Sequence, residues 1–293
     1  MSVNPAPTPA GFEIVPAADP VVPLVLSSPH SGRTYSPDFV AGSRLDAQAI
    51  RRSEDSFVDE LFAGGPPRGA ALLRALFPRA YIDVNREPYE LDPAMFEDAL
   101  PPYANTGSLR VRGGLGTIAR VVASGEEIYR RKLAFAEAEA RVRDCYRPYH
   151  SALRRLLDEA RARFGRVVLL DCHSMPSVGG PMDRDPGAPR VDCVLGDRHG
   201  SACHPDITAA AERTLRASGY VVQRNTPYAG GFITRHYGHP ETGVHALQIE
   251  INRALYMDET RFSRGVNLAV VQGHMSELIG ALARAAPVAL AAE

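Results

Sequence analysis

Apolar residues along this chain follow two spacings, and the alternation between them predicts the fold. Val21–Ser28 is a short β-rich run closed by Pro-His-Ser-Gly, which predicts a buried strand ending in a turn. Val167–Asp171 (VVLLD) is the clearest buried strand and runs directly into Cys172-His173-Ser174-Met175. His245–Ile251 (HALQIEI) alternates as a strand does, and Ala80–Val84, Val191–Leu195 and Tyr220–Arg224 read as further strands. Helical spacing recurs in Asp55–Ala63, where apolar residues at 57, 58, 61 and 62 follow an Asp at the N-cap position. It recurs in Glu126–Phe164, with Pro148 as a break and Gly165 as the stop, in Pro205–Ser218 and in Arg261–Arg284. Residues 92–125 are rich in Pro and Gly and weakly periodic, which predicts a long functional loop. Strands alternating with helices predict an α/β protein, a three-layer α/β/α sandwich around a mixed, mostly parallel sheet. The Pro- and Ala-rich residues 1–20 are expected to form an arm on a single domain spanning 21–285.

Composition changes this picture little. Of the 293 residues, 45% are hydrophobic and 23% charged, and the formal net charge of −1 gives no basic excess for a nucleic-acid partner. Arginine far outnumbers lysine, but the arginines are interleaved with Asp and Glu, as on a solvated surface. The cysteines at 145, 172, 193 and 203 form no CxxC pair and no disulfide framework, so they read as small buried hydrophobes. With no apolar run near the ~18 residues of a membrane span and no signal-peptide pattern at the start, the expected location is the cytoplasm.

Candidate chemistry collects where strands end, the place at which open α/β sheets bind ligands. His30 follows the first strand, His173 follows VVLLDC, Asn85-Arg86 follows AYIDV and Asn225 follows YVVQR. Glu250 sits between Ile249 and Ile251, and a carboxylate inside an apolar strand needs a partner or a metal. Catalytic zinc commonly takes two His and one carboxylate and leaves a position for water. The ion acidifies that water, and a nearby carboxylate moves its proton. His30, His173, an acidic residue near 54–55 and Glu250 would supply every part of such a site.

The segments SSPHSG, YIDVNREP, RPYHSAL, VVLLDCHSMPS, NTPYAGGFITRHYG and HALQIEINRALYMDE, spread from about residue 21 to 260, together resemble the N-formylglutamate amidohydrolase family. The resemblance implies a phosphorylase/hydrolase-like fold similar to zinc carboxypeptidases and aspartoacylase. It also implies hydrolysis of N-formyl-L-glutamate to formate and L-glutamate, a late step of histidine degradation. It assigns His30 and His173 to one divalent metal, zinc by ligand type, makes Glu250 the catalytic carboxylate, and gives Asn85 and Arg86 the grip on a substrate carboxylate. A guanidinium meets a carboxylate through two parallel charge-assisted bonds, which suits Arg86 to that role. The wider carboxypeptidase-like pattern has Glu three residues after the first His, where this chain has Arg33. The carboxylate ligand is therefore expected at Asp55, with Glu54 as its rival and a plain N-cap as the other use of Asp55. For the second carboxylate of a dicarboxylate substrate the expected residues are Arg235 and Tyr237, with Gly230 and Gly231 allowing close backbone approach. Asn225 either binds substrate or ties a turn. Two other functions fit the same residues: hydrolysis of another N-acyl amino acid, such as an N-acyl-aspartate, and binding of an amino dicarboxylate without catalysis. The partner is in each case a small molecule, not nucleic acid or membrane.

Overall fold

The computed structural model describes residues 11–285, apart from 182 and 184, so the first ten residues of the expected arm lie outside the described residues. Seven strands form one sheet: β1 (Phe12–Val15), β2 (Leu24–Ser28), β3 (Ala71–Ala75), β4 (Val167–Met175), β5 (Cys193–Gly196), β6 (Val222–Arg224) and β7 (Val244–Asn252). Their spatial order is β1-β3-β2-β4-β7-β5-β6. The pairs β1–β3 and β5–β7 are antiparallel and the other four parallel, so the sheet is mixed and mostly parallel, as expected. Helices α1 (Pro37–Gly42), α2 (Val58–Leu61), α3 (Leu109–Arg112) and α4 (Phe135–Arg141) precede α5 (Arg147–Phe164). They are followed by α6 (Pro205–Ala217), α7 (Phe232–Tyr237) and α8 (Leu268–Ala285).

Strand alternation divides the interior into two cores, one on each sheet face. Val168, Leu170, Leu247 and Ile249 face α2, α6 and α8. Leu169, Val167 and Ala246 face α5, α7 and the irregular 82–133 region, where Ile82, Val84 and Ile118 are fully buried. The result is the three-layer sandwich. No helix among the described residues is long and apolar enough to cross a membrane.

Five local expectations need correction; the closing helix read from Arg261 begins only at Leu268, because Ser263–Arg264 pair antiparallel with Met257–Asp258 first. Part of the arm, Phe12–Val15, is an edge strand of the sheet, registered against β3 from Phe12–Ala75 to Val15–Leu72. Ala80–Val84 is irregular chain rather than a strand: the Tyr81 amide donates to Pro78 O at 2.9 Å to close a turn, and the alternating apolar residues pack beneath the long segment instead of pairing. The second strand of that region is Ala71–Ala75, whose ALLRA composition does not favour strands. Finally, the helix read from 126 begins at Phe135, and Pro148 does not break it. A π-helical turn at Val142–Tyr146 links α4 to α5, and Pro148 sits in the first turn of α5, where its missing N–H costs least. The Gly165 stop is borne out, with φ 74° at the C-cap.

Candidate active site

The same alternation that buries Leu169 sends Asp171 and His173 of β4 to the α7 face, and Gln248 and Glu250 of β7 beside them. The parallel register pairs His173 with Glu250 and Asp171 with Gln248. Glu250 is the one residue of β7 of intermediate rather than full burial. Gln248 holds that carboxylate by donating from Nε2 to Oε1 at 2.9 Å. Burial raises the Glu250 carboxyl to about 7, against the pull of the neighbouring His173.

His30 lies two residues beyond β2, and its carbonyl accepts from the Asp55 amide at 3.0 Å, which brings the 54–55 segment over the strand ends. His30 Nε2 donates to Asp83 Oδ1 at 2.7 Å, since a carboxylate can only accept. That bond fixes the tautomer and leaves the Nδ1 lone pair free; Nδ1 is buried and has no hydrogen-bond partner. Asp55 Oδ2 lies 3.4 Å from His30 Nδ1 and 3.0 Å from His173 Nδ1. Its other oxygen accepts from Arg253 Nη2 at 2.9 Å. Burial pushes the Asp55 carboxyl up, but His173, His30 and Arg253 outweigh it and hold it well below the usual carboxylate range. Asp83 is held ionised in the same way, with burial outweighed by Arg86, His30 and Arg79, and Arg79 Nε donates to it at 2.9 Å.

Three donor atoms, one each from His30, Asp55 and His173, thus converge within 4.8 Å of one another in a fully buried cluster. Ligands on a tetrahedral ion at about 2.0–2.1 Å stand roughly 3.3 Å apart, close to the 3.0 and 3.4 Å separations found around Asp55. Together with the orphaned Nδ1 of His30, this donor set fits a divalent metal. Glu54, the rival ligand, faces away. It accepts from Tyr35 Oη at 2.7 Å, Arg51 Nε at 3.0 Å and Ser56 Oγ at 2.7 Å. Asp55 does not cap α2 through its side chain; the residue before that helix is Phe57, with φ 66°. Arg33, in the slot where the wider pattern has Glu, pairs with Glu60 at 2.9 Å, away from the cluster.

A cavity of about 260 Å³ is lined by residues that include Asn85, Arg86, Gly231 and Arg235. Asn85 is locked in orientation: its Oδ1 accepts from the Ile233 amide at 2.7 Å, and its Nδ2 lies 3.1 Å from His173 Nε2. Asp171 Oδ1 approaches the same nitrogen at 3.0 Å. Gly231 is required here because a Cβ would sit 2.4 Å from Asn85 Nδ2. Its amide donates to Gln248 Oε1 at 2.7 Å. Arg86 is buried, donating from Nε to Leu115 O at 3.0 Å and from Nη1 to Asn85 O at 2.9 Å.

Two expected substrate residues are placed elsewhere. Tyr237 is buried in the core, and its hydroxyl meets His150 Nδ1 at 2.8 Å. The segment 232–237 is a helix, so residues 235 and 237 point roughly 200° apart instead of to one side. Asn225 does not line the cavity; with φ 60° it ties a turn, accepting from the Asp197 amide at 3.1 Å. Asp83, Asp171 and Arg253 were not anticipated. Asp171 was findable, because it stands two residues before His173 in a strand and must share its face. Asp83 precedes Asn85 by two but lies in irregular chain, and Arg253 follows β7, where no periodicity applies.

The sequence profile of N-formylglutamate amidohydrolase matches residues 22–257. The chain is 33% identical to an N-formylglutamate deformylase of Pseudomonas aeruginosa over 242 residues, 81% of this chain and 83% of that protein. It is 31% identical to the N-formylglutamate deformylase of Pseudomonas putida, over 82% and 83% of the two chains. Among solved structures, an N-formylglutamate amidohydrolase from Ralstonia eutropha superposes with a TM-score of 0.86 at 38% identity, covering 94% of this chain and 98% of that one. With matches across most of its length, this chain belongs to the N-formylglutamate amidohydrolase family.

Proposed function

We propose that the protein hydrolyses N-formyl-L-glutamate to formate and L-glutamate, with a divalent metal, zinc, held by His30, Asp55 and His173. The observation that carries this is the register pairing of Glu250 with His173 beside a buried His-Asp-His cluster, in a chain of this family. A bound divalent metal supplies Lewis acidity towards the scissile carbonyl and the attacking water. The protein supplies the rest. Glu250 takes the proton from the water and delivers it to the leaving nitrogen, and Gln248 holds its carboxylate in place meanwhile. Asn85 and Arg86 orient the substrate through a carboxylate, and the fixed Asn85 amide keeps the reacting end against His173. A protein that only bound an amino dicarboxylate would have no use for a carboxylate at position 250. The activity belongs to a late step of histidine degradation, in the cytoplasm.

Metal analysis of the purified protein with coupled formate detection tests this. Near-stoichiometric metal and formate release from N-formylglutamate are expected, both lost on chelation. Glu250→Gln should keep the metal and lose about 10²–10⁴ in kcat; wild-type turnover in that variant removes Glu250 as the base. The ionised carboxylate is the working form, so kcat/KM should fall as pH drops through the Glu250 pKa. That acid limb is expected at or below the value of about 7 set by burial, because a cation at the cluster favours ionisation.

A further inference from the structure

The cavity next to the cluster is lined by four arginines, Arg86, Arg110, Arg198 and Arg235, against two glutamates, Glu87 and Glu90. The arginines are not equivalent. Arg235 is spent on Glu87, its Nη2 donating to Oε1 at 2.7 Å, and Asn105 Nδ2 donates to the same carboxylate at 2.9 Å. Arg86 is committed to two carbonyls and lies 3.5 Å from Asp83. Glu90 is taken by the Ser108 hydroxyl. Among the described residues, neither Arg110 nor Arg198 pairs with a carboxylate, and the side chain of Arg198 makes only one long contact, to Gly230 O at 3.5 Å.

The backbone that presents Arg198 is strained. Arg198 and His199 both have φ 57°, two successive non-glycine residues in the left-handed region. Such a turn persists only where its surroundings over-determine it, and these residues cluster where a side chain must be aimed. Asn225 does the holding. Its Oδ1 accepts from the amides of Asp197 (3.1 Å) and His199 (3.3 Å), and its Nδ2 donates to Asp197 Oδ1 at 2.8 Å. The Arg198 amide itself donates to Ala229 O at 2.8 Å. What this turn offers to the cavity is a guanidinium with no counter-charge. Arg110 comes from the opposite part of the chain, in the short helix α3 of the long irregular segment.

We propose that Arg198, with Arg110, grips the side-chain carboxylate of the substrate and so sets the preference for an N-acyl amino dicarboxylate. This rests on the function proposed above. With four arginines against two glutamates, the lining is positive, as a substrate with two carboxylates requires. Asn225 is then a positioning residue for Arg198.

The test compares N-formylglutamate with N-formylglutamine, which differ only in that carboxylate. Arg198→Asn is the first variant, because Asn tolerates the left-handed backbone, and Arg110→Ala is the second, on a different element. In each, the wild-type ratio of kcat/KM for the two substrates should fall about 30-fold or more, with the thermal midpoint checked alongside. If the wild type releases formate but both variants keep its ratio, the grip is overturned and the proposed function stands. If the wild type releases no formate from any N-formyl amino acid, the proposed function falls, and the grip falls with it.

Discussion

At the His30–Asp55–His173 end of the cleft, charge is balanced inside the protein. Asp83 and Asp55 stand against the two imidazoles, Arg253 against Asp55, and Arg79 against Asp83. At the Arg110–Arg198 end the lining arginines outnumber the glutamates, and neither Arg110 nor Arg198 has a carboxylate partner among the described residues. The first arrangement holds atoms still through many partners, as transition-state chemistry requires. The second leaves charge for a ligand to neutralise, as recognition requires. Substitutions at the first end should therefore alter stability, metal and rate together, whereas those at the second should alter substrate choice.

The largest effect is expected at Asp55. Asp55→Ala strands Arg253 and both histidines in a buried site, and breaking a buried charge network costs about 3–5 kcal/mol. Chemical denaturation should show that loss, and metal analysis should find the ion gone. A variant that folds normally and keeps its metal would show that the balanced end is not built around Asp55. Asp83→Asn is milder, since the ring of His30 keeps a partner but loses the ionised one. Metal affinity is expected to fall about 10–100-fold by titration, with the fold intact. Smallest is Arg235→Ala. The Arg235–Glu87 pair is solvent-exposed at the rim, so about 0–1 kcal/mol of stability is at stake and substrate preference should barely change. A loss of glutamate preference there as large as at Arg198 would dissolve the distinction between the free and the spent arginines.

Much of this was legible along the chain, for identifiable reasons. The strand-end histidines and Glu250 declared themselves because an apolar strand punctuated by a titratable residue has few structural explanations. The three-layer architecture followed from alternating periods, and VVLLD and HALQIEI are strands as their patterns suggest; that they lie side by side is visible only in the sheet order. The misses share a cause. Arg198 sits in a turn whose conformation no sequence period encodes, and Asn225 was visible only as a residue of two uses until its amide was seen bracketing that turn. Tyr237 was misplaced because a six-residue helix is too short to impose a recognisable period on GGFITRHYG. Edge strand β1 escaped because four residues at a sheet margin carry little alternation.

The bond between Arg253 and Asp55 spans 198 positions of chain. A ribosome emits residues in order, at about 5–20 per second, so Asp55 is exposed for roughly ten to forty seconds before Arg253 exists to meet it. His30 and Asp55 are made early, His173 midway and the arginine nearly last. Until β7 and the turn after it are laid down, the nascent chain holds acidic and imidazole groups with no fixed geometry between them. Any polypeptide that ends short of residue 253 should thus be unable to assemble a working centre, however much of its sheet has formed.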